Sequence, residues 1–220
     1  MNQNFAGGTS SALIAFNRQY AGPSLYASIG QVTGPKPLSG SGTGSADANY
    51  DANGSTNPAT TNLVVKSASV SRPDPQHYRF KIKVQDLTSL SVPATLGGTD
   101  AVWLVRWEVP DPNGAGHTYF AAMESDGGQT PTFFDGETST ISDTHGKFMT
   151  YPGAHTIQGT YTATAPGVIT LTVPIADVGG NANATLYSIT GLSVTQTTPS
   201  SSGTAIFNQI DATQAFDFTP

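Results

Sequence analysis

The chain has no cysteine, so no disulfide framework holds it and cysteine usage does not mark its redox compartment. It also has little charge. Asp, Glu, Lys and Arg make up 11% of residues, against about 25% in an average soluble domain. Nine basic residues are set against fifteen acidic ones, for a net charge of −6. The nine are scattered along the sequence, whereas a phosphate backbone calls for clustered Lys and Arg, so nucleic acid is not an expected partner. No apolar run approaches the roughly 18 residues that a membrane helix needs, so membrane insertion is not expected. No long stretch free of Gly and Pro carries a 3.6-residue period, so helices should be few or none. The first residues lack a basic region followed by an apolar one, and so do not read as a signal peptide.

Thr, Ser, Gly, Asn and Ala fill the space that charge leaves, and 24 Gly with 15 Pro imply many turns. A surface of short neutral polar groups is common in secreted and surface-exposed bacterial proteins. The expected location is therefore extracellular or at the cell surface, with the chain a mature or excised segment of a longer exported protein. At 220 residues and 37% hydrophobic content the chain can bury a full core, as one large domain or one domain with a short extra piece.

What is present is alternation. In residues 78–85, Tyr78, Phe80, Ile82 and Val84 interleave with Arg79, Lys81, Lys83 and Gln85. Successive side chains of a strand point to opposite faces, so the first set can line a core while the second meets water. Residues 102–109 place Trp103, Val105, Trp107 and Val109 on one face, and 168–175 do the same with Ile169, Leu171, Val173 and Ile175. Further strands are expected over 64–70, 118–124, 133–134, 156–164, 186–194 and 216–218, with a turn at Asp111-Pro112-Asn113-Gly114. The expected fold is all-β: a two-sheet antiparallel β-sandwich, jelly-roll or Ig-like, greasy between the layers and wet outside.

Residues 1–38 read as a separate N-terminal β-hairpin arm, with short strands at 11–18 and 24–29. Two strands alone are marginal in water, so the arm needs a surface to pair with. Residues 39–45, Ser-Gly-Ser-Gly-Thr-Gly-Ser, read as a flexible linker, and 46–220 as the sandwich domain.

Chemistry-bearing groups are thin. Asp47, Asn49, Asp51 and Asn53 put side-chain oxygens at alternate positions ahead of Gly54, which suits a hard cation such as Ca²⁺. No bidentate Glu follows and no helices flank the loop, and a plain solvated Asn/Asp-rich loop reads the same way. Glu108, Glu124 and Glu137 are the only glutamates, and Glu108 falls opposite Trp103 and Trp107 as an ordinary outward strand residue. His77, His117, His145 and His155 lie near expected turns without the spacing of a zinc site. No G-x-S-x-G elbow occurs. Trp103 and Trp107 belong to the core, which leaves Phe148 and Tyr151 as the freer aromatic candidates for stacking on sugar rings.

Several runs in order, Tyr119-Phe120-Ala121-Ala122-Met123-Glu124-Ser125-Asp126-Gly127-Gly128, Pro131-Thr132-Phe133-Phe134-Asp135-Gly136, Lys147-Phe148-Met149-Thr150-Tyr151-Pro152 and Gly167-Val168-Ile169-Thr170-Leu171-Thr172-Val173-Pro174, lead to Leu186-Tyr187-Ser188-Ile189-Thr190-Gly191 and the stretch 210–218. Over residues 60–219 the chain resembles a β-sandwich accessory domain found toward the C-terminus of exported bacterial subtilisin-like proteases and sialidase-repeat (propeller) proteins. The resemblance implies a sandwich, an extracellular setting and no catalytic residues. It also makes residues 1–38 the tail of a preceding module.

The expected function is a non-catalytic module, not an enzyme, that binds a polysaccharide or cell-surface component or spaces its neighbours. The alternative is a self-assembling subunit of a surface filament or layer. There the apolar arm, Leu13, Ile14 and Phe16, would add a strand to another copy of the chain.

Overall fold

The computed structural model describes residues 38–39, 41–45, 58–93, 96, 98, 100–110, 116–143, 146–151, 153–196, 207–213 and 215–220. They form an all-β sandwich. The larger sheet runs β1 (Leu38–Ser39), β15 (Phe216–Thr219), β13 (Leu186–Gln196), β5 (Asp100–Pro110), β6 (Gly116–Ser125), β7 (Thr132–Glu137), β10 (His155–Thr156), with β14 (Phe207–Ala212) also paired to β13. The smaller runs β11 (Gln158–Tyr161), β12 (Gly167–Pro174), β4 (His77–Val84), β3 (Val65–Asp74), β2 (Ser41–Ser45). A separate hairpin joins β8 (Ser139–Asp143) to β9 (Gly146–Thr150). Pairing is antiparallel throughout except between β1 and β15. No α-helix occurs among the described residues; Pro58–Leu63 and Ile175–Asp177 are short 3-10 turns.

The alternation in the sequence becomes the core. Tyr78, Phe80, Ile82 and Val84 of β4, with Ile169, Leu171 and Val173 of β12, face Trp103, Val105 and Trp107 of β5, and all are buried. Phe80 and Trp107 stack across the gap with centroids 4.5 Å apart and planes 22° apart. The indole N–H of Trp103 donates to the Asn62 carbonyl at 2.7 Å, which ties the 58–63 turn to the large sheet. Asp211 adds a second tie by accepting the Val65 amide at 2.8 Å.

The chain changes sheets at both edges. One residue, Ile157, separates β10 in the large sheet from β11 in the small one, and its side chain is buried at that corner. At the opposite edge β1 belongs to the large sheet and β2, one residue later, to the small one. Strands that pass from sheet to sheet in this way make the corners of a sandwich. The Ser/Gly run that composition reads as a linker thus supplies β2, paired with β3 from Ser41↔Ser71 to Ser45↔Ser67. Ladder hydrogen bonds come from the backbone and need no side chain.

The outer face of the large sheet departs from the expected wet exterior. Val102 and Leu104 of β5, Phe120 and Ala122 of β6, Leu192 and Val194 of β13, Ala212 and Tyr151 form a second buried cluster. Arg106, on the same face of β5, is 0% exposed. Tyr151 therefore cannot serve as a free sugar-stacking ring. Its side chain is buried, packs edge-on against Phe120, and its hydroxyl accepts a 2.8 Å hydrogen bond from Arg106.

Candidate functional site

Two arrangements of side chains offer chemistry, one on an open face and one at a sheet corner. The open face belongs to the smaller sheet. Because β4 is strictly alternating, the positions between its core residues place Arg79, Lys81 and Lys83 in solvent. Register sets Ser71, Arg79 and Thr172 in one row, Ser69, Lys81 and Thr170 in the next, and Ser67, Lys83 and Val168 in the third. On β11, Gln158 and Thr160 extend the first two rows. Alternate residues of a strand stand about 7 Å apart, so the three cations make a straight strip edged by hydroxyls. Lys66, at the β3 bulge, is a fourth exposed cation nearby.

No Asp or Glu occurs on β2, β4, β11 or β12, and the one on β3 is Asp74 at the hairpin end. There it is occupied with the Nδ1–H of His77 at 2.8 Å. Hydrogen bonds from the Gln76 amide and from His77 hold the Asp74 carboxyl below its usual value. Among the described residues no carboxylate forms an ion pair with Arg79, Lys81 or Lys83. Among its described residues an acidic protein thus presents a basic strip with no acid on β4 or its β12 neighbour.

The corner site joins three segments distant in sequence. Asp135 on β7 and His155 on β10 are direct cross-strand partners, and the imidazole Nδ1–H donates to Asp135 Oδ1 at 2.8 Å. Asp135 shares the inner face of its sheet with Phe133 and is 0% exposed, while the His155 side chain is 49% exposed. Asp177 closes the group from the 3-10 turn that follows β12 in the other sheet. One ligand atom from each of Asp135, His155 and Asp177 lies within 4.8 Å of the others. The second Asp135 oxygen, Oδ2, is buried with no hydrogen-bond partner among the described residues. Burial pushes the Asp135 carboxyl above its usual range; the His155 hydrogen bond opposes this and the Asp177 charge adds to it. The His155 imidazole is raised in turn, chiefly by its hydrogen bond to Asp135.

The other described histidines repeat the pairing in simpler form, His77 with Asp74 and His117 with Glu137 at 2.6 Å. All three keep a third to a half of the side chain in solvent and each is held by a carboxylate. Glu108 lies on the expected outward face of β5, but that face is largely covered. It is partly buried beside Arg106 and Asp217, and burial raises its carboxyl.

Asp47, Asn49, Asp51 and Asn53, the expected Ca²⁺ loop, lie outside the described residues, as do Leu13, Ile14 and Phe16 of the expected assembly arm and His145. The corner site has no signature in sequence spacing, since its members are 20 and 22 residues apart on strands and a turn. One signal was available: Asp135 is in phase with Phe133, so a strand reading puts an acid on the core side. No helix among the described residues is long and apolar enough to cross a membrane. No protein-family model matches the chain, and no curated protein matches it.

Proposed function

We propose that this is a non-catalytic β-sandwich accessory module of a larger exported bacterial protein, and that it holds an anionic polysaccharide at the cell surface against the open face of its smaller sheet. The observation that carries the reading is the strip Arg79, Lys81, Lys83, exposed, edged by Ser and Thr, with no Asp or Glu on β4 or β12. Carboxylate or sulfate groups along an extended glycan would pair with cations at the strand repeat, while Ser67, Ser69, Ser71, Thr170 and Thr172 offer hydroxyls to sugar oxygens. An open sheet face with cations in a row suits an extended chain. The small number of cations on an otherwise acidic protein favours a glycan over a nucleic acid, where tight binding rests on many phosphate contacts.

Calorimetry with a polyuronate, a neutral glucan and duplex DNA at matched salt tests this. The polyuronate should bind, more weakly as salt rises, and the triple substitution Arg79→Ser, Lys81→Ser, Lys83→Ser should weaken it at least tenfold. The neutral glucan should not bind. Undiminished binding by the triple variant, or DNA binding as tight as the polyuronate, overturns the reading. A Ca²⁺ ion on Asp47, Asn49, Asp51 and Asn53 belongs to the same extracellular picture. It predicts Ca²⁺ uptake that Asp47→Asn with Asp51→Asn abolishes.

A further inference from the structure

We propose that Asp135, His155 and Asp177 form a binding site for a divalent transition-metal cation of the Zn²⁺ class, fastening the two sheets together at the β10–β11 corner. It is independent of the glycan reading and shares no residue with the cationic strip.

Charge is the first ground. Asp135 is wholly buried, and a second carboxylate, that of Asp177, stands within 4.8 Å. The one cationic partner that Asp135 has among the described residues is His155, half in solvent and able to carry a single charge. A buried charge is costly unless it is paired and hydrogen-bonded. Here one oxygen of the buried carboxylate, Oδ2, has no hydrogen-bond donor among the described residues. A divalent cation among the three side chains compensates both carboxylates and gives that oxygen a partner.

Geometry is the second. Zinc sits about 2.0–2.2 Å from imidazole nitrogen and carboxylate oxygen, so tetrahedral ligand atoms stand about 3.4 Å apart. Donors already within 4.8 Å of one another stand close to that spacing before any ion is bound. The backbones are held in place. The Ala154 amide donates to the Asp135 carbonyl at 2.7 Å beside the His155 pairing. The turn bearing Asp177 is tied at Ile175 N to the Gln76 carbonyl at 2.8 Å, and Val178 is buried in the core behind it.

Ligand type decides the class of metal. An imidazole with two carboxylates suits Zn²⁺ and its first-row neighbours, whereas Ca²⁺ takes six to eight oxygens and Mg²⁺ an octahedral oxygen set. Exposure of His155 leaves an entry path, and water completes the coordination. Asp135 and His155 belong to the large sheet and Asp177 follows a strand of the small one, so the bound ion spans the sandwich.

The test uses the full chain stripped with EDTA and dialysed. Titration with ZnCl₂ should show one site that Asp177→Asn and His155→Gln each weaken at least tenfold. His77→Gln and His117→Gln should leave it unchanged. At a hundredfold excess over its Kd, Zn²⁺ should raise the melting midpoint by about 5–10 °C. CaCl₂ should do neither. Asp177 and His155 are not core residues, so circular dichroism should show both variants folded. A wild-type protein that takes up no Zn²⁺, or a Zn²⁺ isotherm that folded His155→Gln leaves intact, overturns the proposal.

Discussion

The two sheets share an interior but treat their outer faces in opposite ways. On β4 the burial of successive residues alternates without a break, and the outward set is Arg79, Lys81 and Lys83 in solvent. On β5 nearly every residue is buried, and the outward set is Val102, Leu104, Arg106 and Glu108. The small sheet is therefore a wall with one dry side. The large sheet is dry on both sides at its centre, where Tyr151 and Ala212 pack with the outward residues of β5, β6 and β13. An open face is available to a partner; a covered one is available only to the protein itself.

Outward truncations on the two sheets give the sharpest separation. Leu104→Ala removes a fully buried side chain from the second cluster and should cost about 2–5 kcal/mol. Lys81→Ala, outward on β4, should stay within about 0.5 kcal/mol. Urea unfolding followed by tryptophan fluorescence measures both. Equal effects would mean that the large sheet's outer face is open in solution, and the contrast would collapse.

The same difference decides what is legible in the sequence. Alternation on β4 and β12 matches a half-buried strand, and its inward residues are the core residues. The inward set of β5 was also legible because Trp103, Val105, Trp107 and Val109 are large and in phase. Its outward set was misread, since a covering layer supplied from far along the chain leaves no mark on β5 itself beyond the apolar Val102 and Leu104. Strands β8, β9 and β14 carry mixed polar patterns and were not anticipated as elements. The corner trio escaped for the same reason of distance. Register between β7 and β10, and a turn arriving from the other sheet, are set by tertiary structure alone.

The interior they share is not uniform either, and its two tryptophans test that. The indole N–H of Trp103 donates to the Asn62 carbonyl, whereas the buried Trp107 Nε1 has no hydrogen-bond partner among the described residues. Trp103→Phe strands a carbonyl; Trp107→Phe removes a nitrogen already stranded. The first should cost about 1–3 kcal/mol more than the second in the same unfolding experiment. If the order reverses, the stacking of Trp107 on Phe80 outweighs its orphaned donor.

Tyr151→Phe probes the cover without opening a large cavity. It deletes the hydroxyl that accepts from Arg106, inside a face the large sheet keeps from water. Leaving a buried donor short of an acceptor should cost about 1–3 kcal/mol. The ring stays against Phe120, so the cluster itself should persist.

The gentlest probe is pH, at the margin where the covered face meets solvent. Burial raises the Glu108 carboxyl, with the Arg106 charge opposing and the Asp217 charge reinforcing, and burial raises Asp217 as well. A carboxyl whose folded pKa lies above its unfolded value binds its proton more tightly in the folded state. Its contribution is therefore most favourable below the unfolded value of about 4.3, and stability is lost as pH rises from there through the folded pKa. Glu108→Gln removes that loss. The variant should match the wild type near pH 4 and exceed it at pH 8, with the gap opening as pH rises between them. Asp217 imposes the same direction of trend on both proteins, so the difference between the two curves reports Glu108 together with its repulsion of Asp217. A gap that widened on acidification would mean that Arg106 governs this carboxylate as an ion-pair partner. The rim of the large sheet would then behave like the hydrated edge of the small one, where Asp74 is held low beside His77.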